Sequence, residues 1–123
     1  MKLHLSNPSG ANSITGHGDG YVEINGHRRT TSLVVTPQTL YLDEWAGLDF
    51  AQLNEDHFAR LAQLKPEMVL LGTGAKLRFP HPRLSRALVD ARIGLDVMDT
   101  GAACRTYNIL MAEGRNVLAV ILL

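Results

Sequence analysis

The sequence predicts an α/β domain with a mostly parallel central sheet. From residue 39 onward, strand-like and helix-like stretches alternate, which is the pattern of α/β proteins. Short connections between them favour right-handed crossovers and therefore parallel strands. Two short, largely apolar stretches, Val69–Leu71 and Leu95–Met98, end abruptly at small and hydroxyl residues. Buried parallel strands end in this way where they deliver polar loops to one rim of a sheet.

The N-terminal part of the chain differs in composition from the rest. We expect a single domain over residues 1–123, in which a loop-rich segment, residues 1–20, precedes an α/β core, residues 21–123. Residues 6–20 are rich in Ser, Asn, Gly and Asp, which favour turns. This segment is therefore predicted as loop.

Two strands are predicted directly after this segment, over Tyr21–Ile24 and Ser32–Thr36. Asn25-Gly26 between them is a strong hairpin signal. Because His27-Arg28-Arg29 lengthens the connection, we expect a longer turn than one of two residues. The pair is expected to form a β-hairpin at one edge or a set of accessory strands. A third strand is predicted over Thr39–Leu42.

The first of three helices is predicted over about Glu55–Lys65. Asn54 can cap it with its side chain, and Pro66 ends it. The elements that follow are a strand over Met68–Leu71, a helix over about Arg83–Arg92 that Gly94 ends, a strand over Leu95–Met98, a helix capped by Thr100 that ends near Ala112, and a strand over Val117–Leu122.

Composition excludes several classes of protein. Lys and Arg together number 12, as do Asp and Glu, so no overall charge attracts nucleic acid or an anionic membrane. The longest apolar run, Val117–Leu123, is too short to span a bilayer. Residues 1–6 lack the pattern of a signal or transit peptide. A single cysteine, Cys104, cannot form an internal disulfide, which is consistent with a reducing compartment, and the sequence predicts a cytoplasmic protein. No cofactor is predicted.

Charge is balanced overall but not locally. Residues 43–56 contain five acids and no Lys or Arg, whereas residues 76–92 contain five Lys and Arg residues against one Asp. Such stretches commonly form solvated faces. The alternative is a basic face that docks an acidic protein partner, with Arg83 and Arg86 as the contact residues.

Candidate ligand-binding residues gather at the predicted rim. Gly72-Thr73-Gly74 and Asp99 are expected side by side, because neighbouring parallel strands end on one side of a sheet. There Asp99 can hold a proton, a hydroxyl group or a cation. Thr100 and Arg105 follow it at the start of a helix, and His81 lies in a stiff loop between prolines that can lean over the rim.

Each of these residues also has a structural interpretation. The glycines can form a bulge that ends the strand, and Asp99-Thr100 can serve as a helix entry. Gly72-Thr73-Gly74 does not open directly into a helix, which a phosphate loop requires. Cys104 lies among small apolar residues, which is typical of an unreactive packing cysteine. The five histidines have no metal-ligand spacing, and no metal is predicted.

Residues 98–115 carry a more specific motif, MDT…A-x-RTYN-x-L-x-x-EGR. Together with Pro66-Glu67 and Gly72-Thr73-Gly74, it resembles the small-domain family that includes mitochondrial complex I (NADH dehydrogenase) assembly factor three and the adipogenesis-associated domain protein. The resemblance extends from about Gly20 to Leu123 and is to the uncharacterised bacterial members.

The resemblance implies one three-layer α/β domain with three helices and a mixed central sheet, so one of the C-terminal strands is expected to run antiparallel. It implies no established catalytic activity. Since the mitochondrial relative is an assembly factor, it also implies partner binding, although a role in complex I does not transfer to this chain.

Two functional hypotheses result. The first is a non-enzymatic protein-binding or assembly module. The second is a small-ligand binder or an unrecognised enzyme, with its site at the rim between Gly72–Gly74 and Asp99–Arg105.

Overall fold

The computed structural model describes residues 10–123 and contains two β-sheets and three α-helices. Residues 1–9, which belong to the predicted N-terminal loop, lie outside the described residues. The elements are β1 (Ile14–Gly18), β2 (Tyr21–Ile24), β3 (His27–Arg29), β4 (Leu33–Val35), β5 (Leu40–Tyr41), α1 (Glu55–Gln63), β6 (Met68–Gly72), α2 (Arg86–Asp90), β7 (Gly94–Met98), α3 (Thr100–Ala112) and β8 (Val117–Ile121). Short 3-10 helices cover Asp43–Trp45, Phe50–Gln52 and Pro82–Ser85.

The larger sheet is mixed and has five strands in the order β5-β4-β8-β6-β7. β6 pairs in parallel with both β7 and β8, while β4 pairs antiparallel with β8 and with β5. The predicted mixed, mostly parallel sheet is therefore confirmed. The expectation that a C-terminal strand is the antiparallel one is wrong, because β6, β7 and β8 run the same way and β4 and β5 oppose them.

The central strand β8 explains the three layers. All five of its side chains are buried, and they alternate between the two faces of the sheet. Leu118 and Val120 pack on the side of α1 and α2. Val117, Ala119 and Ile121 pack on the other side, against α3 and the small sheet β1-β2-β3. One layer therefore lies on each face of the five-stranded sheet.

Three predictions about the N-terminal strands are corrected by the structure. Ile24 lies opposite His27, so β2 and β3 are joined by the two residues Asn25-Gly26, both with positive φ (53° and 84°). This is the backbone of a type I′ hairpin, and the expected longer turn is wrong. The segment predicted as loop also contains β1, which pairs with β2 despite its glycines. The predicted strand Ser32–Thr36 shortens to β4 and belongs to the other sheet.

Two of the three helices, α1 and α3, begin at residues whose side chains cap them. The Asn54 side chain accepts a hydrogen bond from the His57 backbone N–H, as predicted for α1. At α3, however, Asp99 is the cap and not Thr100, because Asp99 Oδ1 accepts from the Ala102 N–H at 2.9 Å. The predicted second helix divides into the 3-10 helix Pro82–Ser85 and the short α2. Arg92, with φ of 60°, turns the chain into β7, so Gly94 starts a strand and does not end the helix.

Candidate functional site

The rim of the sheet lies where β6, β7 and β8 end. Thr73, directly after β6, is fully buried. Its Oγ1 donates to the Lys76 carbonyl oxygen at 2.6 Å and accepts from the Arg78 N–H at 3.2 Å. Its hydroxyl group therefore holds the loop that follows β6 and does not face the rim.

Thr100 joins three elements at the same rim. Its Oγ1 donates to the Leu122 carbonyl oxygen at 2.7 Å and accepts from the Gly74 N–H at 2.8 Å. Its own N–H donates to the Gly74 carbonyl oxygen. These bonds connect the start of α3 to the loop after β6 and to the end of β8. The Thr100 hydroxyl group is therefore already used within the chain and is not available to a ligand.

Gly72 is required by close packing. A methyl group at this position would lie 3.0 Å from the Cβ of Ala103 and 3.1 Å from the Cα of Thr100. α3 therefore approaches β6 so closely that a side chain at this position would require its neighbours to shift by a few tenths of an ångström. Gly74 differs, because its φ of 96° favours glycine although the space around it is open.

A shallow cavity of about 240 Å³ opens at this rim. Of the predicted site residues, Gly74, Asp99 and Thr100 line it. A methyl group at Gly101 would lie 3.3 Å from Cε1 of His17 and 3.4 Å from both Nη1 of Arg105 and Oδ1 of Asp99. An imidazole, a guanidinium and a carboxylate thus converge on this glycine.

His17 is the rim residue that the sequence did not indicate. It lies on β1 within a glycine-rich stretch, and it reaches the rim only because β1 packs against α3. His81, in contrast, is not among the residues that line the cavity. Its Nδ1 accepts a hydrogen bond from the Arg83 N–H at the start of the 3-10 helix Pro82–Ser85.

Residues 105–108 of α3, the RTYN segment, connect this helix to β1 and to the residues before it through hydrogen bonds. The Tyr107 hydroxyl group donates to the Asn12 carbonyl oxygen at 2.8 Å. Asn108 accepts from the Ile14 N–H at 2.9 Å and donates to the Ile14 carbonyl oxygen at 2.7 Å. Its side-chain amide thus bonds the edge of β1 as a neighbouring strand would. Arg105 of the same segment is exposed and forms no such bond.

Cys104 lies on the buried face of α3. Burial raises the pKa of its thiol to about 11, and the nearby Arg105 guanidinium offsets this only in part. The thiol therefore stays protonated at neutral pH, where a nucleophile requires the thiolate.

The loop between β6 and the 3-10 helix Pro82–Ser85 presents apolar side chains to solvent. Phe79 is 70% exposed and Leu77 is 52% exposed. Between them, the Arg78 guanidinium carbon lies 4.8 Å from the centroid of the Phe50 ring. We call residues 75–80 the exposed loop.

Arg83 and Arg86 lie elsewhere, on a groove between α1 and α2. The groove also contains Glu55, and Asp90 borders it at the end of α2. The predicted basic face is therefore not purely basic, because the acidic and basic stretches of the sequence meet along it.

Together, the fold and the rim define a three-layer α/β domain whose conspicuous polar residues mainly bond the backbone. A family model described as "Protein of unknown function (DUF498/DUF598)" matches residues 14–122. The chain belongs to this family, and the resemblance predicted from residues 98–115 is confirmed.

Relatives with names and known structures agree with this assignment. Mouse NADH dehydrogenase (ubiquinone) 1 alpha subcomplex assembly factor 3 is 35% identical over 94 residues, which cover 75% of this chain and 50% of that protein. The chain thus spans about half the length of that assembly factor.

No helix between residues 10 and 123 is long and apolar enough to cross a membrane.

Two solved bacterial structures share the fold. A Bordetella parapertussis protein superimposes with a TM-score of 0.85 at 36% identity, covering 94% of this chain and 98% of that one. A Xanthomonas campestris protein superimposes with a TM-score of 0.81 at 28% identity, covering 98% and 89%.

Proposed function

We propose that this chain is a protein-binding or assembly module that contacts its partner through the exposed loop. The observation that carries the proposal is the exposure of Leu77 and Phe79, two apolar side chains separated only by Arg78. Aromatic side chains are enriched at the centres of protein interfaces, where they dominate binding energy. Phe79 is such a residue, and two exposed apolar side chains this close in sequence mark a contact more strongly than an isolated apolar residue does.

The loop is held in a defined conformation. Thr73 bonds the backbone of Lys76 and Arg78, and Arg78 lies over Phe50. A loop that is ordered before binding loses less conformational entropy on binding, which favours affinity. Lys76 precedes Leu77, and Arg78 lies between Leu77 and Phe79, so we expect an acidic partner surface and tighter binding at low salt.

The name of the mouse relative supports this proposal. The mouse relative is named an assembly factor, and an assembly factor acts on other proteins. This chain covers about half of that relative, so the identity of its partner does not transfer.

The test is affinity capture from the protein's own cells with a double variant, Leu77→Ser/Phe79→Ser. Its control is Ile109→Ser, which removes an equally exposed apolar side chain (60%) from α3. We expect the double variant to lose a specific partner that wild type and the control retain. An unchanged set of captured proteins would contradict the proposal.

A second candidate function rests on the rim cavity. The convergence of His17, Asp99 and Arg105 around Gly101 favours a small polar ligand there. Asp99→Asn preserves a good helix cap, and Arg105→Ala removes an exposed side chain, so both variants should fold. Native mass spectrometry of the chain from its own cells should show a small molecule that both variants lose. Loss of stability without loss of a ligand would refute this candidate.

A further inference from the structure

The groove between α1 and α2 has walls of opposite charge. It consists of two adjoining open depressions, one of about 810 Å³ beside the first turn of α1 and one of about 260 Å³ along α2. Glu55 and Asp56 form the wall on α1, while Arg83 lies on the opposite side, followed along the groove by Arg86. Between the walls lie small and apolar side chains, Ala59, Leu84 and Ala87.

These charges are largely unused within the chain. The ion pairs among residues 10–123 are formed by Arg60 and Arg115 with their acidic neighbours, which leaves Glu55, Arg83 and Arg86 unpaired. Asp56 contacts Arg60 at 3.6 Å, but 76% of its side chain is exposed. Unpaired charges of both signs therefore line one groove.

We infer that this groove binds a second copy of the chain. A two-fold axis along the groove would bring the acidic wall of each copy onto the basic wall of the other, which is the self-complementarity of an isologous dimer. A purely acidic partner would be repelled by Glu55 and Asp56, and a purely basic one by Arg83 and Arg86. A second copy satisfies both walls at once. Asp90 adds one negative charge beside the basic wall.

This surface is distinct from the exposed loop, so the two proposals can be tested separately. Sedimentation velocity measures self-association of the wild type, of the acidic variant Arg83→Glu/Arg86→Glu, and of the basic variant Glu55→Lys/Asp56→Lys. Each variant has two walls of the same sign. We expect the dimer dissociation constant of each to rise about tenfold or more, because like charges then face each other.

Mixing the acidic with the basic variant should restore the dimer, since their walls are again complementary. The control Arg28→Glu/Lys65→Glu carries the same change in net charge as the acidic variant, lies outside the groove and should dimerise like wild type. The wild-type dimer should weaken as ionic strength rises from about 0.01 M to about 1 M, because the Debye length falls from about 30 to about 3 Å. If the basic variant does not fold, Glu55→Gln/Asp56→Asn replaces it.

A wild-type chain that stays monomeric at low salt would overturn the inference. So would an acidic variant that dimerises as well as wild type, or a mixture that stays monomeric. Affinity capture distinguishes a further outcome. If the wild type is monomeric and the acidic variant fails to capture another protein that the wild type captures, the groove binds that protein and the inference is wrong. None of these results bears on Leu77 and Phe79, whose variants test the exposed loop.

Discussion

Asn108 supplies the two side-chain hydrogen bonds that join α3 directly to β1. Its amide exchanges two hydrogen bonds with the backbone of Ile14, at 2.9 and 2.7 Å. Ile14 is only 5% exposed, so water has limited access to the groups that these bonds satisfy. The variant Asn108→Ala removes both bonds and leaves the Ile14 N–H and carbonyl oxygen without this partner.

The magnitude follows from these contacts. A hydrogen bond contributes about 0.5–1.5 kcal/mol net, and a buried group left without a partner costs about 1–3 kcal/mol. Two such groups therefore give a loss of about 2–6 kcal/mol. Alanine is the better helix former by about 0.5 kcal/mol, which offsets a small part. We expect the free energy of unfolding to fall by about 1.5–5.5 kcal/mol.

Urea unfolding followed by circular dichroism measures this change. The control is Asn116→Ala, which removes a longer bond of 3.3 Å to Lys65 at an exposed site. We expect the control to lose about 0.5 kcal/mol or less, as is usual for surface substitutions. If Asn108→Ala is no more destabilising than the control, the RTYN segment does not fasten β1 as described.

Two other predictions concern the core near the rim. Burial raises the pKa of the Cys104 thiol to about 11 in the native state, whereas the pKa of an unfolded thiol is about 8.5. Between these two pH values only the unfolded state loses the thiol proton, so the free energy of unfolding should fall as pH rises. Urea unfolding from pH 8 to 11 should show a smaller loss in Cys104→Ala, and equal losses would contradict burial of the thiol. Gly72→Ala should cost about 1–3 kcal/mol by overpacking against Ala103. Thermal unfolding should show no such loss in Gly94→Ala, where the added methyl group meets open space, and equal effects would refute the close approach of α3.

Local signals predicted most of the five-stranded sheet. The run Val117–Leu122 is apolar throughout, and β8 is indeed the fully buried central strand. Asn54 predicted the start of α1 because a cap acts within one turn. Asn25-Gly26 also predicted a turn. The charged residues that follow it did not indicate a strand, because β3 pairs with β2 and does not contribute to the core.

The parts that could not be predicted depend on contacts distant in sequence. β1 is held by Asn108, 94 residues away, so the composition of residues 6–20 alone indicated a loop. His17 reaches the rim through that same packing. The groove at Arg83 and Glu55 required the fold to bring two oppositely charged stretches together. Motif spacing also did not reveal that Thr73 and Thr100 bond the backbone, because that depends on where the loops turn.

The most direct test of the proposed function places a photo-cross-linking phenylalanine analogue at Phe79 in the living cell. At this position the side chain is 70% exposed, so the probe can contact a bound partner without disturbing the core. The matched control carries the probe at Ile109, which is 60% exposed on α3. We expect a discrete cross-link to another protein from position 79 and none from position 109. No cross-link at 79, or the same products from both positions, would contradict the proposal that the exposed loop binds a partner.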